Sequence, residues 1–163
     1  RYTRGVGIGI DMPDISEKLI IGKGRIIKEG KKVAILNFGT RLKECLIAEE
    51  NLKKKGIDLT VVDARFAKPL DENLIWQLAT NHELIITIEE GSIGGFGSHV
   101  NFFLNEKNLL DENLKFRSMI LPDKFIDHNK PEEMYKDAGL DAKSIELKII
   151  ESLNSKVLIK KIN

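Results

Sequence analysis

From about residue 20 onward, short unbroken apolar runs alternate with stretches in which apolar residues recur every three or four positions. Val33, Ala34, Ile35 and Leu36 form one run, and residues 59–62 and 84–88 form two more. Runs this short, bounded by turn residues, predict strands buried on both faces, as in a parallel sheet. Between them, Leu42, Cys45, Leu46 and Leu52 keep helical spacing. Thr40 stands where an N-cap belongs and Gly56 where a helix-ending glycine belongs. A second helix follows Pro69, with Asp71 as its cap and Leu74, Ile75 and Leu78 on one face. A glycine-rich segment, 91–97, leads to a third helix, predicted to be capped by Ser98, to run through Leu104 and to bury Val100, Phe103 and Leu104. The pattern also predicts an early strand over 21–27, a late one over 116–121, and two closing helices over 132–138 and 145–153.

Strands separated by helices of this length predict one three-layer α/β/α domain with a mostly parallel, mixed sheet of five strands. Residues 1–20 have a different texture. Gly5, Gly7 and Gly9 alternate with Val6, Ile8 and Ile10 before Met12-Pro13-Asp14 breaks the run. They read as an extended linker arriving from a preceding domain, with the α/β domain spanning 21–163. The start at Arg1 instead of Met fits a truncated or processed chain.

Composition narrows the function classes. A length of 163 residues suits one compact domain. The 26 Lys and Arg against 25 Asp and Glu leave no basic excess, so no nucleic-acid partner is expected. No apolar run approaches the roughly 18 residues of a membrane span, so no membrane partner is expected either. Cys45 is the single cysteine, which precludes an intrachain disulfide. Its place on the apolar face of a predicted helix makes it a core residue and not a nucleophile.

In an open parallel sheet, ligands gather at the carboxyl ends of the strands. Three such ends carry polar residues: Asn37 to Thr40, Asp63 to Phe66, and Glu89 to Gly91. Arg65, with Lys68 close behind, is the leading candidate, because a guanidinium can grip a phosphate or carboxylate through two parallel bonds. The alternative is a surface arginine paired with Asp63 or Asp71. The 91–97 loop matches neither the dinucleotide-binding glycine pattern nor the P-loop, and reads first as a tight, close-packed turn. His82, His99 and His128 lack metal-ligand spacing. Glu89 and Glu90 are neighbours on a strand and point to opposite faces, so they cannot act on one atom. No nucleophile elbow is present. The chain thus offers anion-binding candidates without a complete catalytic set.

Several segments, taken together, resemble the 1-deoxy-D-xylulose-5-phosphate synthases. They include Arg1-Tyr2-Thr3-Arg4-Gly5, similar to an R-Y-P-R-G motif, and Asn37-Phe38-Gly39-Thr40. Val62-Asp63-Ala64-Arg65-Phe66-Ala67-Lys68-Pro69-Leu70-Asp71 resembles V-D-x-R-F-x-K-P-L-D. His82-Glu83, Thr87-Ile88-Glu89-Glu90, Gly94-Gly95-Phe96-Gly97-Ser98, Leu121-Pro122-Asp123, Phe125-Ile126 and Gly139-Leu140-Asp141-Ala142 follow in order. Thr3 replaces the usual proline, and Gly91 stands where asparagine is common.

The resemblance implies the C-terminal, transketolase-like domain of a thiamine-diphosphate enzyme that condenses pyruvate with D-glyceraldehyde 3-phosphate. Carbon dioxide is lost, and the product feeds isoprenoid, thiamine and pyridoxal synthesis. It implies that Arg1 and Arg65 bind the acceptor phosphate, with Arg4 in support. It also implies a cytoplasmic or plastid-type location and a homodimer in the longer enzyme. The G-D-G…N signature for Mg²⁺ and diphosphate and the glutamate that activates thiamine are absent from this sequence, so both cofactor sites and turnover are expected elsewhere. The alternatives are the equivalent domain of another transketolase-type enzyme, or a stand-alone, non-catalytic α/β ligand-binding or dimerisation module.

Overall fold

The computed structural model describes residues 18–154; the linker expected over 1–20, with Arg1 and Arg4, falls almost wholly outside them. The described residues form five strands and five helices. These are β1 (Arg25–Lys28), β2 (Val33–Phe38), α1 (Leu42–Lys53), β3 (Leu59–Asp63), α2 (Glu72–Asn81), β4 (Leu84–Glu89), α3 (Phe96–Glu106), β5 (Lys115–Met119), α4 (Pro131–Asp137) and α5 (Ala142–Asn154). The sheet order is β1-β3-β2-β4-β5. β2, β3, β4 and β5 run parallel, and β1 closes the edge beside β3 in the antiparallel sense. The predicted three-layer, mixed five-stranded architecture is the one observed.

Strand direction fixes which face each helix covers, because parallel crossovers are right-handed. The chain steps from β2 to β3 in one direction, and then from β3 past β2 to β4 in the other. α1 therefore lies on one face, with α5, while α2 and α3 lie on the opposite face. Two separate cores result. Val33, Ile35, Val61, Leu84, Ile86 and Ile88 pack with Cys45, Leu52, Ile145 and Ile149. Ala34, Leu36, Val62 and Ile85 pack with Ile75, Leu78, Val100 and Leu104 on the other side. β2 and β4 serve both cores, which is why they read as continuous apolar runs. Burial of each large aliphatic side chain contributes roughly 1.5–3 kcal/mol.

Several boundaries differ from the expectation. The first strand is shorter than 21–27, because Lys23 N–H bonds Ile20 O and turns the chain first. Thr40 does not cap α1; Arg41 holds that position, and the Thr40 hydroxyl is committed to Glu90 instead. α3 starts at Phe96, before Ser98, because a carboxylate from β4 supplies its cap, while the Ser98 hydroxyl accepts from Gly94 N–H at 2.9 Å. β5 sits one to two residues earlier than 116–121. Asp71 does cap α2, accepting from Leu74 N–H at 3.3 Å. The Lys68–Pro69 peptide bond is cis. No helix among the described residues is long and apolar enough to cross a membrane.

Candidate functional site

The order of the parallel strands reverses direction between β2 and β4, and ligands in such sheets enter where strand order reverses. Here that crevice is occupied by the chain's own groups. Glu89 is buried, and its carboxylate accepts from Phe96 N–H at 2.9 Å and Gly97 N–H at 2.8 Å. A helix N-terminus favours an anion, and Glu89 is that anion. The glycine-rich loop is built around it. A Cβ on Gly91 or Gly95 would crowd Glu89 Oε2, so a side chain at either position would push the carboxylate from its place. Nucleotide binding by this loop is therefore displaced by an internal cap.

Glu90 points the other way, as strand alternation requires. It pairs with Arg41 Nε at 2.9 Å and accepts from the Thr40 hydroxyl. The Arg41 guanidinium lies 3.5 Å from the centre of the Tyr135 ring, a cation–π contact that ties α4 to the crevice. Burial, then hydrogen bonding to Glu90, raises the pKa of the Tyr135 hydroxyl. Asn37, at the end of β2, is fully buried and donates to Gly39 O at 2.9 Å. Its Oδ1 finds no partner among the described residues. Glu89 and Glu90 thus hold two different structures together.

The carboxyl end of β3 is different. Ala64 N–H bonds Asn37 O at 2.8 Å, so the strand stays paired up to Ala64. The chain then reverses in a three-residue turn closed by Phe66 N–H and Ala64 O. Arg65 is its central residue, with φ +57°. This left-handed form of the turn is the rare and strained one, and such a backbone costs a non-glycine residue of order 1–3 kcal/mol. The turn tucks the Arg65 side chain against the strand end, where it is only 20% exposed. Its Nε lies 3.7 Å from Asp63 Oδ2. The same oxygen takes Arg25 Nε from β1 at 3.1 Å. Two guanidiniums therefore converge on one carboxylate. Among the described residues, the outer nitrogens of neither guanidinium have another partner.

Of the predicted site residues, Arg65 is held in place and does pair with Asp63. Asp71 is engaged elsewhere, by Lys23 Nζ at 3.0 Å and Gly24 N–H at 3.1 Å. Lys68 is exposed and makes no ion pair among the described residues. His82 is structural, with Nε2 2.7 Å from the Thr60 hydroxyl and Nδ1 2.9 Å from Leu78 O. His99 is half-buried on α3 and His128 is exposed. Among the described residues no three His, Cys, Asp or Glu side chains gather as a metal site. Sequence reasoning missed Arg41, Tyr135 and Arg25, each of which meets its partner only through long-range contacts.

A family model for the transketolase C-terminal domain matches residues 22–145. The chain belongs to that family. Arg25, Arg65, Glu89 and Glu90 all lie inside the matched region of this transketolase C-terminal domain. A solved structure described as a split-gene transketolase, inactive beta4 tetramer, is similar at 29% identity and a TM-score of 0.76. It aligns with 84% of this chain, which spans 44% of that one. Transketolase from Campylobacter jejuni is similar at 16% identity, with a TM-score of 0.59, over 80% of this chain and 18% of its own. A mutant transketolase from Pichia stipitis gives 13% identity and a TM-score of 0.57, over 81% and 18%. The last two are similar in fold alone. This transketolase C-terminal domain thus spans less than half the length of each of these structures.

Proposed function

We propose that this domain is the C-terminal part of a 1-deoxy-D-xylulose-5-phosphate synthase and that Arg65 holds the phosphate of the acceptor aldehyde. The observation that carries this reading is the strained turn at Arg65. Backbone strain of that kind persists where surrounding structure enforces it, and it clusters at ligand sites. Here it sits within the Asp63-Ala64-Arg65-Phe66-Ala67-Lys68-Pro69-Leu70-Asp71 stretch, with a guanidinium at a parallel-strand carboxyl end whose outer nitrogens have no other partner among the described residues. The longer enzyme joins pyruvate to D-glyceraldehyde 3-phosphate, forming one carbon–carbon bond and releasing carbon dioxide. A phosphate held away from the reacting carbonyl supplies binding energy that orients the aldehyde. A guanidinium, with its planar fork, suits that dianion better than an ammonium.

Arg1, with Arg4 in support, joins this assignment through the resemblance of its segment, and both lie outside the described residues. Thiamine diphosphate and Mg²⁺ do not fit the described residues. No metal-ligand cluster is present among them, and Glu89 fills the anion position of the glycine loop. Both cofactors are assigned to other domains of the longer enzyme, a homodimer.

Its likeness to the split-gene transketolase favours a second reading, the C-terminal domain of a transketolase proper. Product analysis of the protein encoded by the full reading frame separates the two. The synthase reading expects 1-deoxy-D-xylulose 5-phosphate and carbon dioxide from pyruvate and D-glyceraldehyde 3-phosphate. Two-carbon transfer from a ketose phosphate, with no turnover of pyruvate, would assign the domain to a transketolase.

A further inference from the structure

The carboxyl end of β3 carries a second cation that the motif does not contain. Arg25 lies on the antiparallel edge strand, and its Cα is in register with that of Asp63. Arg25 Nε sits 3.1 Å from Asp63 Oδ2, the oxygen that Arg65 Nε approaches at 3.7 Å. One carboxylate therefore holds two guanidiniums by their inner nitrogens. The geometry leaves the outer nitrogens of both guanidiniums without partners among the described residues. Two positive charges against one negative leave a net cationic cluster. The Arg25 side chain is 50% exposed, so it is open to a ligand arriving from solvent.

We infer that Arg25 is a further acceptor-binding residue, forming with Arg65 a two-guanidinium site for a phosphate monoester dianion, with Asp63 as the post that spaces the pair. The inference rests on the acceptor-phosphate reading of Arg65. A dianion placed between two forks receives charge-assisted bonds from each. Asp63 keeps the two like charges together when no anion is bound and limits the affinity for stray anions. Arg25 thereby acts as a specificity residue: it favours a doubly charged phosphate over a neutral aldehyde.

The test uses the full-length enzyme and compares D-glyceraldehyde 3-phosphate with unphosphorylated D-glyceraldehyde. Arg25→Ala is expected to raise KM for the phosphorylated acceptor about 10- to 100-fold, the range for losing a hydrogen bond to a charged group. KM for pyruvate and kcat/KM for D-glyceraldehyde should stay unchanged. Inorganic phosphate, as a competitive inhibitor, should weaken by a similar factor. Thermal stability should hardly move, since an ion pair with a half-exposed partner contributes little.

The same substitution is then made in an Asp63→Asn background, where Arg25 can no longer act by drawing the carboxylate away from Arg65. Direct binding expects the loss of phosphate preference to persist there. No effect of Arg25→Ala in that background, or none in the wild type while Arg65→Ala abolishes the preference, would overturn the inference and leave the Arg65 reading intact. An Arg65→Ala enzyme that keeps its phosphate preference would instead overturn the reading on which both depend.

Discussion

At Arg65, stability and the proposed binding role pull in opposite directions. Its backbone occupies a region that glycine enters without cost, and its ion pair with Asp63 is long, at 3.7 Å. Arg65→Gly is therefore expected to be as stable as the wild type or up to about 1 kcal/mol more stable, while its affinity for the phosphorylated acceptor collapses. Thermal denaturation beside acceptor KM checks both halves, and a clear loss of stability would mean that the arginine holds the turn. Arg65 was legible in the sequence as a candidate for anion binding, from an arginine just past an apolar run, and so was its alternative, the pairing with Asp63. Its strain was not, because nothing local distinguishes a left-handed arginine. Cys45 was legible as core, and burial pushes its thiol up to about 12. A group with a raised folded pKa adds stability that is complete below its unfolded value, about 8.5. That contribution is lost progressively as pH climbs from there toward 12. Cys45 should resist a thiol reagent at pH 8 in the native protein and react on unfolding; rapid native labelling would contradict this.

Helix α3 shows what happens when an element's start is set from outside. The local signal, Ser98 after a glycine run, places the N-cap three residues late, since Gly95 holds that position. The actual cap comes from Glu89, seven residues before Phe96 and on a different element. Glycines at 91 and 95 make room for it. A cap delivered by tertiary contact leaves no mark at the helix start, and the nearest sequence trace is the pairing of a strand-end glutamate with a glycine-rich loop. Glu89→Ala should leave two N–H groups unsatisfied in a buried site, which costs about 2–4 kcal/mol. Chemical denaturation measures it, and a loss under 0.5 kcal/mol would show that α3 does not depend on this carboxylate. By contrast β2 and β4 were read correctly because burial on both faces writes itself into an unbroken apolar run. β1 was misplaced because an edge strand with three exposed residues of four carries no such pattern.

At the scale of the whole molecule, the described residues form a sheet whose strand-order reversal is filled from within and whose β3 carboxyl end carries two cations. The Glu89 cap and the Thr40–Arg41–Glu90–Tyr135 cluster fill the crevice between β2 and β4, leaving Asn37 Oδ1 without a partner among the described residues, while Asp63 gathers Arg25 and Arg65 at the end of β3. Alternation of apolar runs with helical spacing sufficed to give layer order and the five-strand count. The pairing of distant residues did not follow from it, since Arg25 and Asp63 meet only because β1 turns back antiparallel. In the full-length enzyme, the most direct measurement is kcat/KM of wild type and Arg65→Ala with D-glyceraldehyde 3-phosphate and with D-glyceraldehyde, pyruvate being held saturating. The expected result is a loss of 100-fold or more with the phosphorylated acceptor, about 3 kcal/mol of binding to a charged group, and little change with the other. Equal losses with both aldehydes, or none with either, would contradict the assignment of this strand end to the acceptor phosphate.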